Sequence, residues 1–244
     1  MPILFNHIPH IALSSGSACT SGTIERSHVL FCYSFYNISN EFSNNHLRYS
    51  NDGGTTFYNI NFDNGIYSIS AINNKIAAVL DANGHTVTVN GVKQYPITIT
   101  PNFTTLKCDC TINNSLIAGS NFQLDFTTSL LRELLGFTSI VVSSTQSGAN
   151  PADITRGSNS LCIRCSAITG SWENSNSSNV LYGFVPNSSP GSLISLEPAV
   201  YQYLPLSTNE LNRIRMTLTN QIGEIQKLNG EHATYILDLR PMQE

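Results

Sequence analysis

Apolar and polar residues alternate in short runs along most of this chain, and the segment 122–142, FQLDFTTSLLRELLGFTSIVV, condenses the pattern. Phe122, Leu124 and Phe126 alternate with polar neighbours, which is the period of a half-buried strand. A second strand is predicted over 140–142. The stretch contains no nucleophile, base or metal ligand in a recognisable pattern, so we interpret it as a folding nucleus.

A short helix is predicted between these two strands. Thr127 and Thr128 can cap its start with their hydroxyl groups. Gly136 stands where a left-handed C′ residue ends a helix, and Phe137 can fold back as in a Schellman motif. The apolar face of this helix is expected to consist of Leu130, Leu131, Leu134 and Leu135.

The remainder of the chain predicts about a dozen short strands separated by turns, the pattern of a sandwich or jelly roll. Strands are expected over 29–36 and 209–219, for example, and the polar segment 170–178 is expected to be a loop. A second helix is predicted over 68–80, capped by Ser68 or Ser70. The predicted fold is therefore all-β: a single jelly-roll β-sandwich with two short inserted helices.

The first 27 residues have no helix or strand period. We expect an extended N-terminal arm over 1–27 and one jelly-roll domain over 28–244, since no linker divides the rest. An extended arm cannot bury its own apolar side chains, so they should pack on the protein's body or on a neighbour. The expected anchors of the arm are Leu4, Phe5, Ile8 and Ile11.

Charged residues make up only 11% of the chain, against roughly 25% in typical soluble domains. Asn, Ser and Thr take their place. Such a surface suits lateral contacts within an assembly, although an AT-rich genome would produce the same composition. The net charge of −4 gives no general attraction to nucleic acid, and no apolar run reaches the ~20 residues of a membrane span.

The cysteines and histidines predict neither a metal site nor a cofactor. Cys162 and Cys165 form a CxxC pair, but three residues apart on a strand they point to opposite faces. His7 and His10 lack further ligands nearby. We expect reduced, buried thiols in a protein assembled inside a cell.

Two acidic residues could form the active site of a glycoside hydrolase, which is the enzymatic alternative to a structural role. Asp109 and Asp125 lie on adjacent predicted strands and could face each other at the ~5–9 Å separation of glycoside hydrolases. The competing interpretation makes each the polar half of an alternating strand, facing solvent.

Four aromatic residues form the candidate contact surface. Trp172 in a polar loop, with Tyr182, Tyr201 and Tyr203, could meet a neighbouring subunit or stack on a sugar. Arg213 and Arg215 share one predicted strand face, which forms a basic stripe or protects a sheet edge.

Several phrases, taken in their order, resemble the penton-like minor capsid proteins of Polinton/Maverick elements, adintoviruses and related small double-stranded DNA viruses. Asn220 and Ile222 depart from the acidic and polar turn residues expected there, and the last strand ends in Asp-Leu-Arg rather than a basic-aromatic run. The phrases are Leu124-Asp125-Phe126 with Leu134-Leu135-Gly136-Phe137, Tyr203-Leu204-Pro205-Leu206, Leu218-Thr219-Asn220-Gln221-Ile222-Gly223, and Leu228-Asn229-Gly230-Glu231.

This resemblance implies a structural capsid protein in the virion, assembled inside the host cell and not an enzyme. It would form a homopentamer at the five-fold vertices and contact the major capsid protein and other minor capsid proteins. It implies no cofactor, no catalytic residue and no specific nucleic acid. The alternatives are a lectin-like module that binds a host receptor or glycan, and then a glycoside hydrolase.

Overall fold

Strands dominate the computed structural model of this protein, as the sequence predicts. The structure describes residues 2–6, 22–156, 158–173, 175–197, 199, 202–207 and 213–241. The strands are β1 (Pro2–Asn6), β2 (Gly22–Cys32), β3 (His46–Ser50), β4 (Tyr58–Asn61), β5 (Val87–Val89), β6 (Val92–Gln94), β7 (Ile97–Asn102), β8 (Lys107–Ile112), β9 (Gln123–Asp125), β10 (Val141–Val142), β11 (Gln146–Ser147), β12 (Leu161–Cys165), β13 (Ser171–Glu173), β14 (Asn176–Ser178), β15 (Val180–Phe184), β16 (Leu193–Leu196), β17 (Leu204–Pro205), β18 (Met216–Asn220) and β19 (Ala233–Pro241), and the helices are α1 (Ile69–Ala82) and α2 (Leu131–Leu134), with a 3-10 turn at Asn40–Phe42.

The described residues divide into two compact units. The terminal unit combines Met1–Phe35 with Gly157–Glu244, and the central unit is Tyr36–Arg156. Each unit has its own cluster of buried apolar residues. The sequence suggested no such division, because the chain crosses between the units without a Gly- or Pro-rich linker.

Two antiparallel sheets enclose the core of the terminal unit. One has the order β1-β19-β2-β16, with β17 also pairing β2, and the other has the order β15-β12-β18. Alternate residues of both sheets, such as Phe31 on β2 and Ile163 on β12, are buried in the shared core. This is the sandwich construction expected of a jelly roll.

The central unit packs two further sheets and α1 around the second core. The sheets have the orders β10-β9-β3-β4 and β11-β8-β7, and β5 and β6 form a hairpin. Ile72, Ile76 and Leu80 form the buried face of α1. The Ser68 side chain caps this helix by accepting from the backbone N–H of Ala71 at 3.1 Å, which confirms one of the two predicted caps.

The end of α2 confirms the Schellman motif. Gly136 has a φ of +80°, its N–H donates to Glu133 O at 3.1 Å, and the N–H of Phe137 donates to Arg132 O at 2.8 Å. The start of this helix differs from the prediction, because Ser129 Oγ, rather than a threonine, accepts from the N–H of Leu131.

Some predicted boundaries and burials are wrong. Leu130 is exposed and does not belong to the apolar face of α2. The strand predicted over 209–219 begins only at Met216, and residues 209–212 lie outside the described part. The segment predicted as a loop over 170–178 forms the β13–β14 hairpin. Position 27, the proposed end of the arm, lies within β2, which pairs with β19 from Gly22 onward. The division into an arm over 1–27 and a domain over 28–244 is not among these corrections and stays a prediction.

Candidate functional site

An open groove of about 770 Å³ lies in the terminal unit. We call it the Arg164 groove, because the guanidinium group of Arg164 organises its wall. Three segments line it: the end of β12 with the turn that follows, the β13–β14 hairpin, and the turn after β18. The lining consists of Arg164, Ile168 and Thr169 from the first segment, Glu173 and 176–179 from the second, and 221–223 from the third.

Three hydrogen bonds fix the side chain of Arg164. Its Nε donates to Thr219 Oγ1 at 3.1 Å, its Nη1 to Ser178 Oγ at 3.2 Å and its Nη2 to Glu173 Oε2 at 2.7 Å. The Arg164 and Glu173 side chains are 19% and 31% exposed, so their ion pair is mostly shielded from water. The two charges cancel, and the groove carries a rigid polar wall with no net charge.

Asn220 holds the third wall of the groove in place. This fully buried residue accepts through Oδ1 from the backbone N–H groups of Ile222 at 3.1 Å and Glu224 at 2.9 Å. Its Nδ2 donates to Glu224 Oε2 at 3.1 Å. The amide oxygen of Asn220 thus accepts both backbone hydrogen bonds that close this turn.

Trp172 lies on the opposite face of the hairpin from the ion pair. Strand pairing sets Trp172 across from Ser177, and Glu173 across from Asn176. Because side chains alternate along a strand and pair across it on one face, Trp172 points away from Glu173. Its indole is 72% exposed. Trp172 is therefore an exposed side chain of this hairpin and does not line the groove.

The tyrosines predicted beside Trp172 belong to other parts of the terminal unit. Tyr182 on β15 packs against the core and stacks on Phe184 at a centroid distance of 6.2 Å. The hydroxyl group of Tyr203 donates to Asp238 Oδ2 at 2.8 Å. Tyr201 lies outside the described residues. These contacts lie within the terminal unit's own sheets, and a shared contact surface of Trp172 with the tyrosines stays a prediction.

The basic pair precedes a strand instead of lying on one. Arg213 and Arg215 are both exposed, Ile214 and Met216 are buried, and β18 starts at Met216. The alternation predicted from the sequence is present, but the backbone N–H of Arg215 donates to Ser166 Oγ at 2.8 Å rather than to a neighbouring strand.

The acidic pair proposed for hydrolysis is not assembled. Asp109 on β8 and Asp125 on β9 belong to different sheets, so the prediction that they face each other across adjacent strands is wrong. Asp109 accepts hydrogen bonds from Ser147 and Asn102, which lower its pKa. A general acid needs a raised pKa, so Asp109 does not suit that role.

Asp125 is a buried structural anion. It is 3% exposed and forms an ion pair with Arg48 at 2.8 Å. Burial acts to raise the pKa of Asp125, but hydrogen bonds from Thr127 and Arg48 outweigh it and hold that pKa below its ordinary value. The solvent-facing interpretation of Asp125 is therefore wrong as well.

The described cysteines are free thiols. Cys165 is buried and Cys162 partly exposed, in line with their predicted opposite faces. Within the described ranges, no group of three or more His, Cys, Asp or Glu side chains is arranged to hold a metal ion. Over the same residues, no helix has the length and apolar character required to cross a bilayer.

The arm contributes one strand to the terminal unit. Residues 2–6 form β1, in which Leu4 pairs with Ile236 and Phe5 with Tyr235 of β19. Ile8 and Ile11 lie outside the described residues. The backbone of the first two predicted anchors is thus placed at the edge of this chain's own sheet.

In the described part of the chain, three turns carry a pair of exposed apolar side chains, a feature not predicted from the sequence. Phe103 and Leu106, in the β7–β8 turn, are 84% and 67% exposed. Turns at the surface of a solitary protein are ordinarily polar. The spacing of two apolar residues three apart around a turn could have revealed this signal. The other pairs are Val89 and Val92 around the β5–β6 turn, and Ile222 and Ile225 after β18.

No protein-family model matches the sequence, and a search of curated proteins also finds no match. Among solved structures, the chain is similar to the mavirus penton protein, known from the crystal structure of its selenomethionine form. The two chains share 11% sequence identity with a TM-score of 0.46, and the match covers 99% of this chain and 100% of that one.

Proposed function

We propose that this protein is a structural capsid protein of the penton type, a homopentamer at the five-fold vertices of an icosahedral particle. The main support for the proposal is that three turns each expose a pair of apolar side chains. Exposed Val, Ile, Leu and Phe side chains at three separate turns lose contact with water when neighbours cover them. A protein whose turns are built in this way is suited to an assembly.

The phrases that resemble penton-like minor capsid proteins support the same proposal. Leu134-Leu135-Gly136-Phe137 forms the end of α2 and its Schellman motif. Leu204 and Pro205 form β17, and 220–223 form the turn held by Asn220. The residues of these phrases thus form a helix end, a strand and a turn. Local sequence and structure agree at such positions in a foldable protein, so diverged sequences with one fold are expected to resemble each other there.

A ring of five copies requires a heterologous interface, in which two different faces of one subunit meet. The scarcity of charged residues reduces like-charge repulsion across such contacts. We also propose that the protein contacts neighbouring major and minor capsid proteins. Its relationship to the capsid proteins of Polinton-like elements and adintoviruses is a further part of the proposal.

The arm is proposed as a tether to a neighbouring subunit. In the chain itself β1 occupies the open edge of β19. Such a short edge strand can exchange for the same strand of another copy at little cost, because the hydrogen bonds formed are the same. The arm anchors Leu4, Phe5, Ile8 and Ile11 would then serve assembly.

The β7–β8 turn offers the sharpest test. Replacing Phe103 by Ser and Leu106 by Asn removes both apolar groups, and Asn tolerates the positive φ of 59° at position 106. We expect the pentamer to dissociate into smaller species, as measured by light scattering after size exclusion, with a nearly unchanged melting temperature.

The matched control is the double variant Thr104→Ala/Thr105→Ala, which alters two exposed residues of the same turn and should leave the assembly intact. A Phe103/Leu106 variant that assembles like the wild type would remove this turn from the interface. A chain lacking residues 2–13, in the same assay, tests the arm: lost assembly with a folded chain supports the tether, and unfolding contradicts it.

A further inference from the structure

We propose that the Arg164 groove binds a neutral carbohydrate, a function beyond the proposed capsid role. A groove of about 770 Å³ falls within the roughly 300–1,000 Å³ range of small-ligand sites. That volume accommodates a short oligosaccharide. The lining supplies the side chains that sugar hydroxyl groups require.

The ion pair presents a donor and an acceptor side by side. A guanidinium group has five N–H donors, and the three bonds of Arg164 leave one N–H on each terminal nitrogen. Glu173 accepts through Oε2 from Arg164 and, at 3.4 Å, from Ser178, which leaves Oε1 for a ligand. Because each sugar hydroxyl both donates and accepts, two neighbouring hydroxyl groups match this pair.

The charge of the lining favours a neutral ligand over an acidic one. Arg164 and Glu173 are the charged residues of the lining, and they neutralise each other. An acidic sugar would bring its carboxylate towards Arg164 but also towards Glu173 Oε2, which already occupies Nη2. Repulsion between the two carboxylates would offset the attraction of the guanidinium group.

The walls of the groove are preorganised by hydrogen bonds within the protein. Arg164 is held at three points, and Asn220 fixes the backbone of the turn that carries Gln221 and Ile222. A fixed wall loses little conformational entropy when it binds. Ile222, 69% exposed on this wall, supplies an apolar surface for the C–H face of a sugar ring.

The experiment measures binding to the purified full chain by saturation-transfer NMR. The probes are the neutral oligosaccharides lactose, N-acetyllactosamine, cellotetraose and mannotriose, with sialyllactose as the acidic member. We expect at least one neutral probe to bind. The variant Asn179→Ala/Gln221→Ala, which removes two amides of the lining outside the Arg164 network, should weaken that binding by roughly tenfold or more.

Trp172→Ala is the matched control, because it changes the opposite face of the same hairpin and should leave binding unchanged. The inference is overturned if no neutral probe binds, or if sialyllactose alone binds. It is also overturned if binding is lost in Trp172→Ala and kept in Asn179→Ala/Gln221→Ala, since the sugar would then lie on the Trp172 face.

Discussion

His85 lies partly buried among aromatic rings of the central unit. Its Nδ1 is 2.9 Å from the hydroxyl group of Tyr49, and its Nε2 is 3.0 Å from Asn51 Nδ2. The ring of Tyr58 is 4.9 Å away, centroid to centroid. Protonation would make Nε2 a donor against the amide group of Asn51, itself a donor in this position. The surroundings therefore favour the neutral imidazole.

Burial lowers the pKa of His85 below its ordinary value near 6.5. The unfolded chain consequently binds a proton more readily than the folded protein does. The stability that neutral His85 contributes is fully present above about pH 6.5 and is lost as the pH falls towards the folded-state pKa.

We therefore expect the free energy of unfolding of the wild type to fall on acidification from about pH 7 to pH 5, by at most about 1.4 kcal/mol per pH unit from this residue. His85→Gln should show a shallower fall, because it cannot titrate. Urea titrations of both proteins across this range make the comparison. Equal slopes would show that His85 does not contribute to the acid sensitivity.

At the scale of elements, Gly136 ends α2 in a place where a side chain cannot fit. A Cβ atom there would lie 2.2 Å from the backbone oxygen of Asn150, in addition to the cost of a positive φ. Gly136→Ala should lower the free energy of unfolding by more than about 2 kcal/mol, since both the strained φ and a backbone clash contribute. Chemical denaturation measures this loss.

Gly91 provides the control for that substitution. Its φ of +77° matches the +80° of Gly136, but a Cβ atom at Gly91 would meet nothing within 4 Å. Gly91→Ala should therefore cost only the φ penalty, about 1 kcal/mol. Equal losses in the two variants would show that the contact with Asn150 is unimportant.

The turn after β18 tests the Asn220 hydrogen bonds. Asn220→Asp keeps the acceptor for the two backbone N–H groups but places a carboxylate about 3 Å from Glu224 Oε2. We expect a destabilisation of about 1–3 kcal/mol at neutral pH, because the new carboxylate is buried at position 220 and faces the like charge of the exposed Glu224.

Adding Glu224→Gln to Asn220→Asp should recover most of the lost stability, because the glutamine amide can donate to the new carboxylate. Thermal and urea unfolding of the single and double variants form the test. A double variant as unstable as Asn220→Asp alone would contradict the proposed pairing. Glu224→Gln alone is the control for loss of the glutamate.

Much of the element level could be predicted from the sequence, because the signals are local. The Ser68 cap of α1 and the Schellman motif at Gly136 depend on residues within a few positions of each other. The start of α2 was predicted less well, since three consecutive polar residues, Thr127, Thr128 and Ser129, offer equivalent hydroxyl groups, and packing selects among them.

The Arg164 groove could not be predicted, because its parts come from distant segments. Arg164 and Thr219 are 55 residues apart in the sequence and meet only through the pairing of β12 with β18. In the sequence, Arg164 is only a charged residue within an apolar strand. The face on which Trp172 lies depends likewise on the register of the β13–β14 hairpin, which a polar segment does not specify.

At the scale of the whole molecule, the alternation of residues identified the all-β class but not the two units. Alternating strands look the same whichever core they serve, and the central unit begins at Tyr36 directly after a residue buried in the terminal unit's core. The separation of the two cores is a property of long-range contacts. The low charge and the apolar turn pairs belong to this scale as well, since they describe a surface suited to neighbours.

Native mass spectrometry of the purified full chain tests the central claim most directly. A penton-type subunit should give a closed species of five copies that persists on dilution. A mass of one chain at every concentration, or a closed ring with a number of copies other than five, would contradict the account.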